Sequence, residues 1–559
     1  MTERPTPTDL TQRDVLKLGP RRCPRSRAHR DPGRRRGLER SQMRARVFAS
    51  RSVTALALVL ALGCLPPAPA AAAPEGQMVW AVHISLAPVY FEPAEAPGII
   101  TPFMLYYALH DALVKPMPGN PMAPSLAESW AVSPDGLTYE FVLRKGVKFH
   151  NGDPLTADDV KFSFERYRGV AAKSFKARVA AVEVLDPHRV RFRLTQAWPD
   201  FMTFYGTPAT GAAWIVPRKY VEKVGDEGFK KAPVGAGPYK FVSFTPGIEV
   251  VVEAFEGYWR KTPTVKRLIF KSVPEESTRL AMLKRTEADV AYSIRGVLAE
   301  EIRRTPGLTL KPTYMPWTQW TQFTKEQWDP KSPWSDRGVR LAATLAVDRK
   351  AINEAEFLDL SRLTGSIVPH TFDFYWPAPL YPYDPGRARQ LLAEAGYPNG
   401  FDGGTISSDM VYASLAEATA TYLGAVGIRL KVTPMERAAI LKANQEKKLI
   451  GLNVGGSAAF GNAATRIEAY VAAGGLYVYG SHPDIDGLFR EQAAETDKRR
   501  REAILHKIQQ LMHERVMFSP IMEPAFLNGY GPRVAESGLG LITGHAYSGP
   551  YEDVRLKAR

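Results

Sequence analysis

Cysteine is nearly absent from this sequence. Of 559 residues only Cys23 and Cys64 are cysteines, and both precede residue 73. A body that begins there holds no thiol, which excludes disulfide staples, cysteine metal sites and cysteine nucleophiles from it. A phosphate-binding loop is missing too. Such a loop sets glycines beside a lysine so that backbone N–H groups and the ammonium surround the phosphates, and the chain contains no Gly-Lys dipeptide. The chain therefore does not drive its own work with ATP. The common serine-acyl-enzyme layouts are also absent, since no Gly-x-Ser-x-Gly elbow occurs and no Ser is followed three positions later by Lys. His513-Glu514 opens like a zinc-protease helix, but Met517 occupies the place of the second histidine, and zinc needs both on successive turns. The other body histidines, His83, His110, His150, His188, His370, His482, His506 and His545, have no tight ligand spacing and read as surface or hydrogen-bonded side chains. No metal site and no cofactor is expected. Positive charge is in excess at +15, yet residues 1–72 carry 15 basic and 5 acidic side chains and hence +10 of it. The dispersed remainder cannot form the clustered basic face that a nucleic acid requires. The lack of catalytic motifs favours binding over catalysis. Carboxylate chemistry leaves no short signature, so an exported hydrolase stays as an alternative from another class.

The front of the chain reads as an address. Residues 53–63 (VTALALVLALG) form an uncharged, largely apolar run, preceded by Arg44, Arg46 and Arg51 and followed by LPPAPAAAAP. That is the charged, apolar, small order of a secretory signal peptide, and the run falls short of the roughly 18 to 20 residues needed to span a bilayer. A single-pass anchor is the competing reading. Ala70, Ala71 and Ala72 satisfy the small-residue rule for cleavage, so the signal peptide is placed at 43–72 and the mature chain starts near Ala73. Leu62-Gly63-Cys64 loosely resembles a lipoprotein box, with Ala61 where a larger aliphatic residue is usual. A lipid anchor at Cys64 is thus the second choice. Residues 1–42 are Arg/Pro-rich, lack apolar periodicity and precede Met43. They read as a disordered, non-native upstream extension from a start codon placed too early.

With 45% apolar and 10% aromatic residues, the body is long enough to bury large cores, and its length suggests about three domains. Strand-like alternation runs through Tyr139, Phe141 and Leu143, then through Val190, Phe192 and Leu194 between arginines. In FVSFTPGIEVVVEAF, Pro246-Gly247 supplies a turn between two strands. Asp384-Pro385 gives an N-cap and an N1 proline to a helix that stops at Gly396. Residues 499–517 place Ile504, Ile508, Leu511 and Met512 on one helical face. Strands and helices mixed without strict βαβ regularity predict several α/β lobes.

Longer stretches are more specific. LAESWAVSPDGLTYEFVLRKGVKFHNGDPLTADDVKFSFER (126–166), PVGAGPYKF (233–241), YWRKTPTVKRLIFKSVPEESTRLAMLKRTEADVAY (258–292), VRLAATLAVDRKAI (339–352), YPYDPGRARQLLAEAGYPNGF (381–401) and YEDVRLK (551–557) occur in this order. Together they resemble the family 5 extracellular solute-binding proteins, the peptide, nickel and opine receptors of bacterial ABC importers. The resemblance implies an α/β fold of the large, two-lobed periplasmic-binding-protein type (type II), with an extra domain inserted in the first lobe. Lobe I would comprise 77–105, 232–312 and 520–559, the inserted domain 106–231, and lobe II 313–519. The 126–166 signature then falls in the inserted domain and shapes the fold, with Gly146, Gly152 and Pro154 as turn formers.

The same resemblance points to ligand contacts on loops facing the interlobe gap. From lobe I these are His83 and Tyr90 in VWAVHISLAPVY, and Tyr292 and Ser293 in AYSIRG. From lobe II, Trp317 and Trp320 flank Gln319; they either form an aromatic wall or belong to the core. In GGSAAFGNAATRIEAY, Gly455 and Gly456 permit close backbone approach, while Ser457, Asn462 and Arg466 offer donors. Peptide receptors of this kind usually supply an aspartate here for the ligand's α-ammonium group, yet residues 451–465 contain no Asp or Glu. Either another carboxylate replaces it or the cargo is not an ordinary peptide. Arg466 favours an anion if it points inward, and otherwise decorates a helix surface.

The expected function is a non-enzymatic, monomeric periplasmic receptor that takes up a small organic or peptide-like solute and presents it to an inner-membrane permease with separate ATPase subunits. A non-peptide cargo, such as a metal chelate or an opine-like anion, is the alternative in the same fold. A DNA-binding regulator with a solute-binding domain is excluded by the export signal. Amino-terminal sequencing of the exported protein should begin within a few residues of Ala73; an intact 53–63 run in a cytoplasmic product would remove the expected location.

Overall fold

The computed structural model describes residues 73–96, 103–206, 210–457, 461–475, 477–542 and 545–558. The upstream extension, the signal peptide and both cysteines lie outside the described residues. Three sheets organise the rest. In the first, of seven strands, Glu75–Val82 pairs in parallel with Val265–Ser272 and Val290–Ala291, and the hairpin Tyr239–Thr245 and Glu249–Ala254 extends one side. Phe526–Tyr530 and Thr309–Thr313 complete the other side as an antiparallel pair. In the second, Thr318–Phe323 lies between Phe518–Glu523 and Leu452–Ser457, followed by Phe401–Asp409 and Ile428–Met435, with the short Arg362–Leu363 at the edge. The third is an antiparallel sheet with the spatial order Ala127–Val132, Thr138–Leu143, Arg189–Leu194 and Val179–Asp186.

The alternation in the sequence has its physical counterpart here. In Thr138–Leu143 every second residue is buried, and the same holds for Val190, Phe192 and Leu194, because one face of this sheet meets the core and the other meets water. The arginines between them pair on the wet face, with Arg191 bonded to Glu140 at 3.0 Å and Arg193 to Glu183 at 2.6 Å. Gly247, at φ 72°, makes the hairpin turn. The Asp384 carboxylate caps helix Pro385–Glu394 through the Arg387 N–H at 2.8 Å. The helix expected over 499–517 is Lys498–Glu514; Val516 takes a φ of 47° and ends it before Met517. Its buried face is Arg501, Leu505, Ile508 and Met512, with Ile504 and Leu511 at the margin. The PVGAGPYKF motif exists for close approach. A Cβ on Gly235 would stand 2.0 Å from the Leu109 carbonyl oxygen.

The first and third sheets share one apolar core, running from Trp80 and Phe270 through Tyr106 and Trp214 to Phe141 and Phe192. The second sheet builds two others, one around Val339, Ile406 and Val454 and one around Trp320, Ile467 and Ile508. The chain passes between the first and second sheets twice, at residues 314–317 and again between Glu523 and Phe526. Both passages belong to one antiparallel ribbon, because Thr313 pairs with Phe526 on one side and Gln319 with Met522 on the other. Among the described residues no helix is long and apolar enough to cross a membrane.

Two histidines, His110 and His545, are buried in this body and a third, His150, is half-buried. Burial holds His110 and His545 down to about 4 and His150 to about 3, so each is neutral when folded. In the unfolded chain each takes a proton near pH 6.5. Stability should therefore be level above pH 6.5 and fall as pH drops from 6.5 toward 4, by up to about 1.4 kcal/mol per pH unit for each histidine. Urea midpoints measured at pH 7, 6 and 5 check this; a flat series would mean that water reaches these rings.

Candidate functional site

Aromatic side chains bridge the two passages. Strand Glu75–Val82 delivers His83 to its carboxyl end, where the imidazole lies 4.5 Å, centroid to centroid, from the Tyr547 ring. Tyr547 packs edge-on against Phe526 at 5.2 Å, Phe526 against Trp317 at 5.2 Å, and Trp317 edge-on against Tyr412 at 5.9 Å. This run starts in the core of the first sheet and ends in that of the second. Trp317 is half-buried and touches both cores. It is the place where rings from the first and second sheets converge.

Tyr292 stands behind the run, fully buried, with its hydroxyl donated to the Tyr547 carbonyl at 2.8 Å and its ring 4.9 Å from the Tyr547 ring. Ser293, at φ 55°, donates its N–H to Asn528 at 3.2 Å, and its side chain bonds the Tyr547 hydroxyl. The loop is held from beneath by Arg279, whose guanidinium donates to the carbonyls of Tyr292, Ser293, Val273 and Pro274 at 2.7 to 2.8 Å. Tyr90 occupies the short 3-10 turn Pro88–Phe91, half-buried against the first core.

On the second sheet, Gly456 lies under the indole of Trp317. A Cβ there would come within 2.2 Å of Trp317 Nε1, so the glycine is the seat of the ring. Trp317 and Trp320 do not form one wall. Alternation along Thr318–Phe323 sends Trp320 to the opposite face, where it is 2% exposed and packs on Tyr470 at 5.0 Å. Arg466 sits on that face too. It does not decorate a helix surface: it is fully buried, 5.3 Å over the Trp320 ring, and donates to Thr318 Oγ1, the Ile367 carbonyl and the Ser457 carbonyl at 3.2, 3.1 and 2.9 Å. Burial lowers its pKa to about 10, which leaves it charged at neutral pH. The Ser457 side chain bonds Tyr470. Asn462 caps helix Ala463–Tyr470 by accepting from the Thr465 N–H at 3.2 Å, and its amide donates to Asp200 at 2.6 Å.

His83, Tyr292, Ser293, Trp317 and Gly456 are thus brought together, while Trp320, Ser457, Asn462 and Arg466 form a second group. Tyr547, Phe526 and Tyr412 were not anticipated. No local pattern marks them, because they reach the run from three distant segments. A surface cavity of about 240 Å³, lined by Phe164, Tyr167, Phe175 and Lys176 among others, includes none of the candidates. Gly456→Ala should displace the Trp317 indole, lower stability by about 1 to 3 kcal/mol and shift tryptophan emission. In a Trp317→Ala background the same substitution should cost less but not nothing, because the Cβ would still stand 2.8 Å from the Thr318 carbonyl oxygen; a double-mutant cycle by urea unfolding will show the difference.

Comparison with known proteins identifies the family and the fold. Residues 121–476 match the bacterial extracellular solute-binding proteins, family 5 Middle. Heme-binding protein A of Haemophilus influenzae is 28% identical over 447 residues, covering 74% of this chain and 80% of that protein. The glutathione-binding protein GsiB of Salmonella choleraesuis is 32% identical over 334 residues, covering 58% of this chain and 64% of GsiB, just under two thirds of its length. The periplasmic binding protein DppA of Helicobacter pylori, solved with the peptide STSA, superimposes with a TM-score of 0.71 at 23% identity, covering 86% of this chain and 98% of DppA. That fold is the two-lobed, type II periplasmic binding protein. The chain belongs to the family 5 bacterial extracellular solute-binding proteins, the periplasmic substrate-binding components of ABC importers.

Proposed function

We propose that the chain captures a small organic or peptide-like solute in the gap between its lobes, against the ring run from His83 to Tyr412, and that the closed form is what a membrane permease with separate ATPase subunits receives. The observation that carries this reading is Trp317, a half-buried ring that contacts the apolar cores of both sides at the passage between them. Lobe I as 77–105, 232–312 and 520–559, the inserted domain as 106–231 and lobe II as 313–519 are the proposed divisions. Separate cores joined by one ribbon are what hinge closure needs. In this reading the protein is a monomer without catalytic activity or nucleic-acid partner, exported by a cleaved signal peptide.

A non-peptide cargo is favoured within that function. Residues 451–465 carry no acid, and two acids flanking this region serve the fold. Asp200 is paired with Arg501, and Asp409 caps the turn Met410–Tyr412 through the Val411 N–H at 3.2 Å. A buried ammonium without a counter-charge costs several kcal/mol. Heme-binding protein A shows that a relative of this chain is named for a metal chelate. A chelate or an opine-like anion therefore suits this gap better than a free-amine dipeptide does.

Calorimetric titration with dipeptides, glutathione, heme and an opine tests the cargo. Dipeptides should bind weakly or not at all, and the best ligand should lose on the order of a hundredfold in affinity with Trp317→Ala. Trp320→Ala should instead cost about 3 to 5 kcal/mol of stability. Tight binding of a dipeptide that acetylation of its amino group abolishes would defeat the non-peptide reading.

A further inference from the structure

Asp200 stands at the N-cap position of helix Phe201–Tyr205 but makes no side-chain cap. Its carboxylate points instead to the other body. Arg501, 301 residues away, grips both oxygens, NH1 on Oδ1 at 3.0 Å and NH2 on Oδ2 at 2.6 Å, and the Asn462 amide adds a third bond at 2.6 Å. The side chains of the pair are 6% and 12% exposed. The two partners are anchored in different cores: Phe201, Phe204 and Tyr205 belong to the core of the first and third sheets, whereas Leu505, Ile508 and Met512 on the arginine's helix belong to the Trp320 core.

The arginine is prepared for its partner by its own side. Its Nε donates to Gln492 at 3.0 Å and its guanidinium lies 5.2 Å over the Phe374 ring, which fixes the plane and leaves the two terminal nitrogens facing Asp200. Asn462 follows the strand that carries Gly456, the seat of Trp317. A second, more exposed pair crosses the same boundary: Arg178, stacked on Trp198 at 4.7 Å, lies 3.7 Å from Glu468 on the helix that Asn462 caps. Charges are complementary at both points. Truncating one partner of a desolvated pair is costly because the other is left buried alone, but a pair whose partners ride on separate bodies avoids that cost when the bodies part and water returns to both.

We propose that Asp200, Arg501 and Asn462 form a polar latch that sets the ratio of open to closed receptor; the latch rests on the hinged two-lobe reading. It makes closure depend on two bodies meeting in register as well as on the solute. Since residues 73–559 contain no cysteine, Lys223→Cys and Glu417→Cys, both at exposed positions, can carry a dye pair on the full mature chain for single-molecule energy transfer without ligand. Wild type should show two distances. Asp200→Asn and Arg501→Gln should each lower the closed-to-open ratio at least tenfold, and Asp200→Arg combined with Arg501→Asp should recover most of that loss. Glu468→Gln, at the exposed pair, should change the ratio less than about fivefold. Two distances whose ratio ignores the Asp200 and Arg501 substitutions, with only the melting temperature lowered, would assign the pair to static packing and overturn the latch alone. A single distance in wild type and every variant would overturn the hinged reading and the latch with it.

Discussion

Buried guanidinium groups bound to backbone carbonyls hold the working end of this protein together. Arg279 ties the ends of two strands of the first sheet, and Arg466 ties Thr318, Ile367 and Ser457 in the second. Arg340 collects the carbonyls of Trp334, Ser335, Arg515 and Val516, and Arg349 those of Thr344, Val347 and Pro520 with the Ser519 hydroxyl. Among the described residues none of the four has a carboxylate within salt-bridge reach. The reason is local. Where a strand ends, its carbonyls lose their ladder partners while still buried, and a planar group with five donors can satisfy several at once where an ammonium cannot. The carbonyl dipoles offset much of the desolvation of the charge. Burial pulls Arg340, Arg349 and Arg466 down to about 10, well above neutrality, so the clamps persist at physiological pH.

Such clamps explain how the ring run keeps its form although its members come from five segments. Tyr292 and Ser293 are pinned by Arg279, and Tyr547 rests on both. Thr318, next to Trp317, is held from the far face by Arg466, while the missing Cβ of Gly456 leaves room for the indole. The face that carries Trp317 therefore owes its rigidity to a charge placed on the other side of the sheet. Arg466, which looks like a ligand donor in a linear reading, spends its donors on Thr318, Ile367 and Ser457.

Much of the fold was legible in the sequence because its signals are local. Alternation at Val190, Phe192 and Leu194, the Pro246-Gly247 turn and the Asp384-Pro385 cap each depend on neighbours a few residues away. The site was legible only in part. Trp317 and Gly456 could be named, but not that one is the seat of the other, since that contact joins strands more than a hundred residues apart. Trp320 and Arg466 were ambiguous for a related reason: alternation states that two residues face opposite ways without saying which way the gap lies. Asn462 has the look of a donor on a loop, and its amide is indeed used, on Asp200 262 residues away. Helix Lys498–Glu514 ended earlier than its apolar period suggested because Val516 turns the chain with a positive φ, which no periodicity encodes.

The ribbon through the two passages has a mechanical meaning. Because Thr313 stays paired with Phe526 and Gln319 with Met522, the two strands cannot slide along each other without breaking ladder bonds on both sides. The joint resists shear and leaves bending and twisting as its soft coordinates. In the proposed hinge, sliding is the motion that would take Asp200 and Arg501 out of register, and it is the one that the ribbon opposes.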